Sequence, residues 1–170
     1  NGAGKSTLLR ILAGLQAPLS GEIQRGHKAV AGYYDQDTAH LDEASTPYGE
    51  IRRLHRGMSD LDIRSHLAKF LFRGDEIDKP VAALSGGERA RVALAKLVLE
   101  HPSWMALDEP TNHLDLAART ALEEMLSEFA GALVCVSHDR AFLDRVCTRI
   151  VAVEPEGVEQ FAGNYGAWRE

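Results

Sequence analysis

Two adjacent carboxylates, Asp108 and Glu109, end an apolar segment in the second half of the chain. The segment Met105–Leu107 predicts a buried strand, so both side chains should lie at the carboxyl end of that strand. There Asp108 could hold Mg²⁺, directly or through water, and Glu109 could act as a general base that polarises an attacking water. A charged exit from a strand is common, so the pair indicates chemistry only if the chain also binds a phosphate.

The chain opens with the greater part of a phosphate-binding loop. Its residues are Asn1, Gly2, Ala3, Gly4, Lys5, Ser6 and Thr7, and the full pattern G-x-x-x-x-G-K-[ST] would place the first glycine two positions before Asn1. Glycines leave backbone N–H groups free to surround phosphate oxygens, and the following helix presents its positive end to them. Lys5 would reach the β- and γ-phosphates, and the Ser6 hydroxyl would be a ligand of Mg²⁺. A glycine-rich helix cap without a ligand is the alternative.

A second glycine-rich helix start, Leu84–Glu88, lies between these two motifs. Ser85 and Glu88 stand at the spacing of a capping box, in which each side chain accepts a hydrogen bond from the backbone N–H of the other. Gly86 and Gly87 would also expose N–H groups at a helix N-terminus, which together with the Ser85 hydroxyl could bind an anion. On these residues alone, both interpretations stay open.

Two polar residues that follow apolar segments complete the set of candidates. His138 comes just after Val136, at a strand end of the kind where ligands meet parallel sheets, and it could contact a γ-phosphate. Gln36 follows the segment Tyr33–Asp35 in the same way. Each is weak evidence alone, because a single histidine is more often a surface or structural residue.

The elements that must position these residues alternate between helix and strand. Helices are predicted for Lys5–Leu15, Pro47–Arg56, Leu61–Phe72, Gly86–Glu100, Leu116–Phe129 and Arg140–Val146. Strands are predicted for Glu22–Arg25, Ala29–Asp35, Ser103–Asp108, Ala132–Val136 and Arg149–Val153. This alternation predicts a parallel sheet with helices packed on it. The stretch from residue 37 to about residue 84 is rich in Asp and Arg and poor in strand residues, which predicts a small helical lobe inserted into the sheet domain.

Composition restricts the class of protein. The chain has 170 residues, of which 45% are hydrophobic and 26% charged, so we expect one soluble domain or two small lobes that share a core. The net charge of -6 argues against a domain that holds nucleic acid on its own basic face, although a larger protein could bind RNA through other segments. Cys135 and Cys147 lie in apolar runs and should be buried thiols. The apolar stretches are too short to span a bilayer and no leader is present, so we expect a cytoplasmic location without direct membrane insertion.

Taken together and in this order, the motifs resemble the nucleotide-binding domain of ATP-binding cassette (ABC) proteins over essentially the whole chain. Asn1–Thr7 is similar to the Walker A motif, Gln36 to the Q-loop, Leu84–Glu88 to the signature motif, Met105–Glu109 to Walker B and His138 to the switch histidine. The spelling of the signature motif, Leu-Ser-Gly-Gly-Glu, is highly specific to this family.

Narrower similarities indicate the ABC-F subfamily. The segment Asp108–Asp115 has the spelling typical of that subfamily, whereas most transporter domains differ in its middle. Tyr33–Gln36 resembles in particular the second of the two tandem domains that ABC-F proteins carry, and Ser137–Leu143 and Gly163–Tyr165 are similar as well. ABC-F proteins have no membrane part, and known members act on the ribosome as translation factors or antibiotic-resistance proteins.

This resemblance implies an α/β fold of the P-loop NTPase (RecA-like) type, with a parallel-sheet core and an inserted helical subdomain. Residues 1–36 and 87–170 would form the ATPase core, and residues 37–86 the helical subdomain that carries the signature motif. The cofactors implied are ATP and Mg²⁺, and the activity implied is ATP hydrolysis.

The resemblance also implies the roles of single residues. The catalytic residues would be Glu109, His138, Gln36 and Lys5, the Mg²⁺ ligands Ser6, Gln36 and Asp108, and the nucleotide-binding loop residues 1–7. In this family two domains of one parent chain enclose two ATP molecules head to tail. Ser85, Gly86 and Gly87 would therefore cap the γ-phosphate held by the opposite domain, and Asp115 would lie at the seam.

Parts of the family pattern are absent from these 170 residues. They lack the strand before Walker A, the first glycine of the loop and the aromatic residue that stacks on adenine. We therefore expect an N-terminally truncated fragment that is poorly stable and has negligible ATPase activity when isolated. The linker through which ABC-F members touch ribosome-bound tRNA is absent too, so ribosome and tRNA are partners by resemblance alone.

Two other functions stay open from the sequence. The first is the motor domain of an ABC membrane transporter, which a neighbouring permease gene would favour and the pair Asn112–His113 disfavours. The second is a nucleotide-gated DNA clamp of the chromosome-maintenance type. Such clamps carry a long coiled coil between Q-loop and signature, whereas only a short helical lobe separates Gln36 from Ser85 here.

Overall fold

A parallel sheet forms the centre of the molecule, as the alternation of elements predicts. The computed structural model describes residues 4–35, 41–154 and 157–169. Its three-stranded sheet has the order β1-β2-β3, with β1 at Ala31–Tyr34, β2 at Trp104–Asp108 and β3 at Ala132–Val136. Both strand pairs of this sheet are parallel, which confirms the α/β fold class.

The register of the sheet aligns the carboxyl ends of the three strands. Tyr34 of β1 pairs with Leu107 of β2, and Asp108 of β2 pairs with Val136 of β3. The residues that follow the strands therefore meet at a single edge of the sheet.

Helices pack around this sheet. Helix α1 (Lys5–Ala13) contacts all three strands, and Leu9 on its inner face is 2% exposed. Helix α4 (Gly86–Leu99) packs against β1, while α5 (Leu116–Glu128) and α6 (Arg140–Val146) pack against each other. The residues after each strand are thus held between sheet and helices.

The described residues between β1 and α4 form helices and no strand, and we call this segment the helical lobe. It contains α2 (Pro47–Leu54), α3 (Asp60–Lys69) and two short 3₁₀ helices at Gly74–Asp78 and Val81–Ala83. Both α-helices begin at a residue whose side chain caps the helix. The Thr46 hydroxyl caps α2 by accepting from the Gly49 N–H at 3.0 Å, and the Ser59 hydroxyl caps α3 by accepting from the Asp62 N–H at 3.1 Å.

Helix α4 connects the lobe to the sheet. Two lobe histidines contact backbone oxygens of its second half, His55 at Leu99 and His66 at Ala95, each at 2.8 Å. Helix α2 adds the Glu50 carboxylate, which is completely buried and lies 2.5 Å from Lys96 Nζ of α4. Polar contacts therefore supplement the apolar packing that fixes the lobe on α4.

A two-stranded antiparallel hairpin follows α6. Its strands are β4 (Arg149–Glu154) and β5 (Gly157–Ala162), and helix α7 (Tyr165–Arg169) comes after it. Cys135 of β3 and Cys147 after α6 are free, partly buried thiols whose sulfur atoms are 3.4 Å apart.

One predicted strand is wrong. Residues 22–25 form no strand, because no described segment pairs with them and, apart from Ile23, they are exposed. A strand without a neighbour gains neither ladder hydrogen bonds nor a buried face. Helix α1 also ends earlier than predicted, at Ala13, because Gly14 adopts a left-handed φ of 83° and caps the helix.

Within the described ranges, none of the helices has the length and apolar character needed to cross a bilayer.

Candidate functional site

Asp35 and three polar residues singled out in the sequence lie at the carboxyl edge of the sheet. Asp35 follows β1, Asp108 ends β2 with Glu109 next to it, and His138 comes two residues after β3. Gln36, predicted to follow β1 at this edge, lies outside the described residues. Crevices at the carboxyl ends of parallel strands are where ligands bind in open α/β sheets.

The start of α1 offers unpaired backbone donors. Gly4, at the N-cap, has a left-handed φ of 78°, and no side chain caps this helix start within the described part of the chain. The first N–H groups of a helix have no partner within the helix, so here they are available to an anion. Ser6 and Thr7 are exposed, and Lys5 is partly buried. Asn1, Gly2 and Ala3 fall outside the described residues.

Glu109 is held in an unusual backbone conformation beside His138. Its φ is 49°, and its N–H donates to the Val136 carbonyl at 2.8 Å, which turns the chain across the end of β3. A positive φ is uncommon for a residue other than glycine. Its carboxylate accepts from the His138 backbone N–H at 3.2 Å, and the other carboxylate oxygen lies 3.4 Å from His138 Nε2. The structure thus brings together two residues that are far apart in sequence.

Solvent reaches the two partners to different degrees. The Glu109 side chain is 20% exposed and the His138 side chain 64%. Asp108, one residue before Glu109, is 8% exposed at the end of β2. A largely shielded pair of carboxylates next to an accessible imidazole suits a site that positions a water and holds a cation.

A cluster that sequence reasoning missed ties α1 to the same edge. Arg10 Nη2 of α1 lies 3.2 Å from the Asp35 carboxylate, and the Tyr33 hydroxyl donates to the same carboxylate oxygen at 3.0 Å. Asp35 is only 5% exposed, and burial is the main reason that the pKa of Tyr33 is raised. The sequence signal for this cluster is a polar residue at a strand end, directly before Gln36.

The signature segment forms the capping box that its spacing predicts. The Ser85 hydroxyl accepts from the Glu88 N–H at 3.2 Å, and the Glu88 carboxylate accepts from the Ser85 N–H at 2.7 Å. This last bond is the main reason that the pKa of Glu88 is lowered. Ser85 and Gly86 remain exposed. The box satisfies only part of the helix start, so the outward donors of Gly86 and Gly87 stay compatible with an anion.

Gly87 touches the segment that follows the Asp108–Glu109 pair. A Cβ atom at Gly87 would lie 2.5 Å from the backbone oxygen of His113, a residue that has a φ of 63°. The second signature glycine is therefore required by close packing of two backbones. Through this contact the signature helix and the segment leading to Asp115 have a fixed mutual position.

We expect Gly87→Ala to lower the free energy of unfolding of the full-length protein by about 1–3 kcal/mol, because the added methyl group forces two backbones apart. Equilibrium unfolding in denaturant, with both the midpoint and the slope of the transition recorded, measures the change.

Gly26→Ala is the matched control, since a Cβ atom at Gly26 would meet open space. Equal effects of the two substitutions would contradict the packing argument.

Comparisons with known proteins identify the family of the chain. Residues 1–112 match the ABC transporter family. The whole chain is 44% identical to YdiF of Bacillus subtilis, which is named as an ATP-binding protein, and covers 26% of its length. It is 38% identical to ABC transporter F family member 5 of Arabidopsis thaliana, with coverage of 100% of the chain and 25% of that protein. It thus spans about a quarter of the length of both.

A solved structure of another protein has a similar fold. The complex of the archaeal ribosomal stalk protein aP1 and the archaeal ribosome recycling factor aABCE1 contains a chain that superimposes with a TM-score of 0.76 at 30% identity. The match covers 96% of the present chain and 33% of the other.

Proposed function

The chain belongs to the ABC transporter family of ATP-binding cassette domains, within its ABC-F group, and from that premise we propose that it hydrolyses ATP as one half of a nucleotide-gated clamp. The observation that supports hydrolysis best is the contact of Glu109 with His138 next to Asp108. Family membership establishes an ATP-binding domain. The residue roles that follow are our proposal.

The phosphates of ATP bind at the start of α1. We assign the binding of the β- and γ-phosphates to residues 1–7, whose glycines leave backbone N–H groups free and whose Lys5 would add a positive charge. The helix supports this arrangement, because its first N–H groups have no partners within the helix and its dipole favours an anion.

Mg²⁺ fits the oxygen donors that the chain offers. Ser6 supplies a hydroxyl on α1, Asp108 supplies a carboxylate on β2, and α1 packs against β2. Hard oxygen ligands of this type suit Mg²⁺, and Gln36 would add an amide oxygen. When bound, the ion neutralises the charge that develops on the phosphate oxygens.

Glu109 acts as the general base. Its carboxylate accepts a proton from the water that attacks the γ-phosphorus, while the bond to the leaving oxygen of ADP breaks. His138 holds Glu109 through its backbone N–H, and we assign its exposed imidazole to the γ-phosphate. One loop therefore orients both the base and the transferred group.

The clamp requires a second domain of the same kind. We assign residues 1–36 and 87–170 to the ATPase core and residues 37–86 to the helical subdomain. Ser85, Gly86 and Gly87 then cap the γ-phosphate held by the partner domain, and Asp115 lies at the seam. Because the γ-phosphate bridges the two domains, its removal by hydrolysis releases them.

We further propose that the full-length protein works on the ribosome as a translation or antibiotic-resistance factor in the cytoplasm. Two findings support this, the ABC-F relatives along the whole chain and the structural similarity to a factor that is complexed with a ribosomal stalk protein. The ribosome and its tRNA are then the partners that the clamp engages.

The nucleotide site is tested by replacing Lys5 with alanine in the full-length protein. We expect the affinity for a fluorescent ATP analogue to fall by about tenfold, because a charge-assisted contact with the phosphates is lost. Equilibrium titration followed by fluorescence anisotropy measures the change.

Lys69→Ala provides the control, since Lys69 is exposed at the end of α3 and should leave the affinity unchanged. Equal affinities of wild-type protein and the Lys5 variant would place the phosphates elsewhere.

A further inference from the structure

We propose that Arg119 is a positioning residue, which through Asp139 holds the turn that carries His138 against Glu109. The proposal rests on the proposed function, because His138 matters through ATP hydrolysis. Arg119 belongs to the first turn of α5, where its N–H donates to the Asp115 carbonyl at 2.9 Å. It thus connects the predicted domain seam with the edge of the sheet.

The contact between Arg119 and Asp139 is short and partly shielded. Arg119 Nη1 lies 2.6 Å from the Asp139 carboxylate, and the two side chains are 38% and 15% exposed. The Nε atom of Arg119 is enclosed and has no hydrogen-bond partner among the described residues. The ion pair with Asp139 is therefore the main compensation for partly removing this guanidinium from water.

Asp139 gathers further bonds that fix the turn. Its other carboxylate oxygen caps α6 by accepting from the Phe142 N–H at 3.1 Å, and its own N–H donates to the Ser137 hydroxyl at 3.0 Å. The Ser137 hydroxyl lies 3.3 Å from that of Thr111, a residue that is 4% exposed and follows β2. Arg119, Asp139, Ser137 and Thr111 form what we call the turn clamp.

Two residues of the turn clamp are the direct sequence neighbours of His138. Ser137 before it and Asp139 after it are both tied down, so the His138 N–H is directed at the Glu109 carboxylate, 3.2 Å away. The turn clamp also joins the segments that follow β2 and β3 to the start of α5. A shift of α5 at the domain seam would therefore be transmitted to the catalytic pair.

Arg119→Met in the full-length protein tests the role. We expect kcat for ATP hydrolysis to fall by about tenfold, since small misplacements of catalytic groups have effects of this size or larger. The KM for ATP should change by less than about twofold, because Arg119 is not part of the phosphate loop. Arg119→Lys should restore part of kcat, because an amine can still pair with Asp139.

Arg145→Met is the matched control. Arg145 of α6 pairs with Glu123 of α5 at 2.6 Å, so the same two helices lose an arginine–carboxylate contact of equal length outside the turn clamp. We expect kcat to be unchanged in this variant. Equal losses of kcat in the two arginine variants would show that Arg119 only supports helix packing, and would overturn the proposal.

A double-mutant cycle tests whether Arg119 acts through the contact of the turn with Glu109. In a Glu109→Ala background, adding Arg119→Met should lower the residual rate of single-turnover hydrolysis by less than about twofold further, because the carboxylate that the His138 N–H holds is already absent. A further tenfold loss in that background would overturn the proposal.

Hydrogen exchange supplies a readout that does not depend on turnover. Peptides covering residues 137–142 should exchange faster in the Arg119→Met variant than in wild-type protein or the Arg145→Met variant. Absence of turnover in wild-type protein would refute the proposed function, whereas unchanged exchange would refute the turn clamp. The two failures are therefore distinguishable.

Discussion

Replacing Glu109 with glutamine is expected to lower ATP turnover of the full-length protein by at least about 100-fold, because an amide cannot accept the proton of the attacking water. ATP affinity should stay within about threefold of the wild-type value, since we assign the main phosphate contacts to residues 1–7 and not to Glu109. Glutamine keeps the shape of the side chain and can still accept from the His138 N–H. Single-turnover hydrolysis and equilibrium binding of ATP measure the two quantities separately.

Glu124→Gln is the control, because Glu124 is an exposed residue of α5. It should leave turnover and affinity unchanged. Near wild-type turnover in the Glu109 variant would mean that another group accepts the proton, and the assignment of the base would be abandoned.

The same Glu109 variant tests the ribosome proposal. If hydrolysis opens the clamp, the Glu109→Gln protein should sediment with ribosomes in the presence of ATP and much less in its absence. Co-sedimentation that requires ATP would support a translation factor timed by Glu109. Failure to sediment in both conditions would contradict the ribosome proposal but not ATP binding. It would favour the motor domain of a membrane transporter, and a membrane partner would then be sought.

Replacing Glu50 with alanine is expected to lower the free energy of unfolding by about 3 kcal/mol, because it breaks a buried ion pair at one side only. The Glu50 side chain is fully buried, and its carboxylate lies 2.5 Å from Lys96 Nζ and 2.5 Å from Arg53 Nη2. Lys96 is only 20% exposed, so after the substitution its ammonium group stays largely removed from water but has lost the Glu50 carboxylate. The midpoint and the slope of the first denaturation transition of the full-length protein give the change in the free energy of unfolding.

Two further variants separate the charge from the packing. Arg53→Ala should lower the free energy of unfolding by less than about 1 kcal/mol, since Arg53 is 52% exposed and water screens its pair with Glu50. Methionine at both position 50 and position 96 should recover most of the stability, because an apolar pair of similar volume no longer carries a desolvation cost. A Glu50→Ala variant as stable as wild-type protein would contradict the structure of the lobe.

Local signals identified most elements of the fold. The predicted strand Ala132–Val136 matches β3, and the helix predicted to start at Gly86 begins there as α4. Both depend on interactions between near neighbours in sequence, such as the capping box of Ser85 and Glu88. The strand predicted at residues 22–25 failed for the opposite reason, because a strand depends on a partner that its own residues do not supply.

By itself the sequence determined the family and the fold class, and it indicated the type of chemistry that we propose. Glycines at fixed spacing, a capped signature helix and two carboxylates at a strand end are local patterns, and each needs a particular residue type for a steric or chemical reason. They can therefore be read without knowing where distant segments lie.

Only the tertiary structure decided which of these residues meet. The contact of Glu109 with His138 spans 29 positions and depends on the parallel register of β2 and β3. The burial of Glu50 against Lys96 and the pairing of Arg119 with Asp139 depend in the same way on how helices pack. From sequence alone, a single Glu or Arg is expected to be a solvated surface residue. Its burial and its charge partner depend on segments that are distant in sequence.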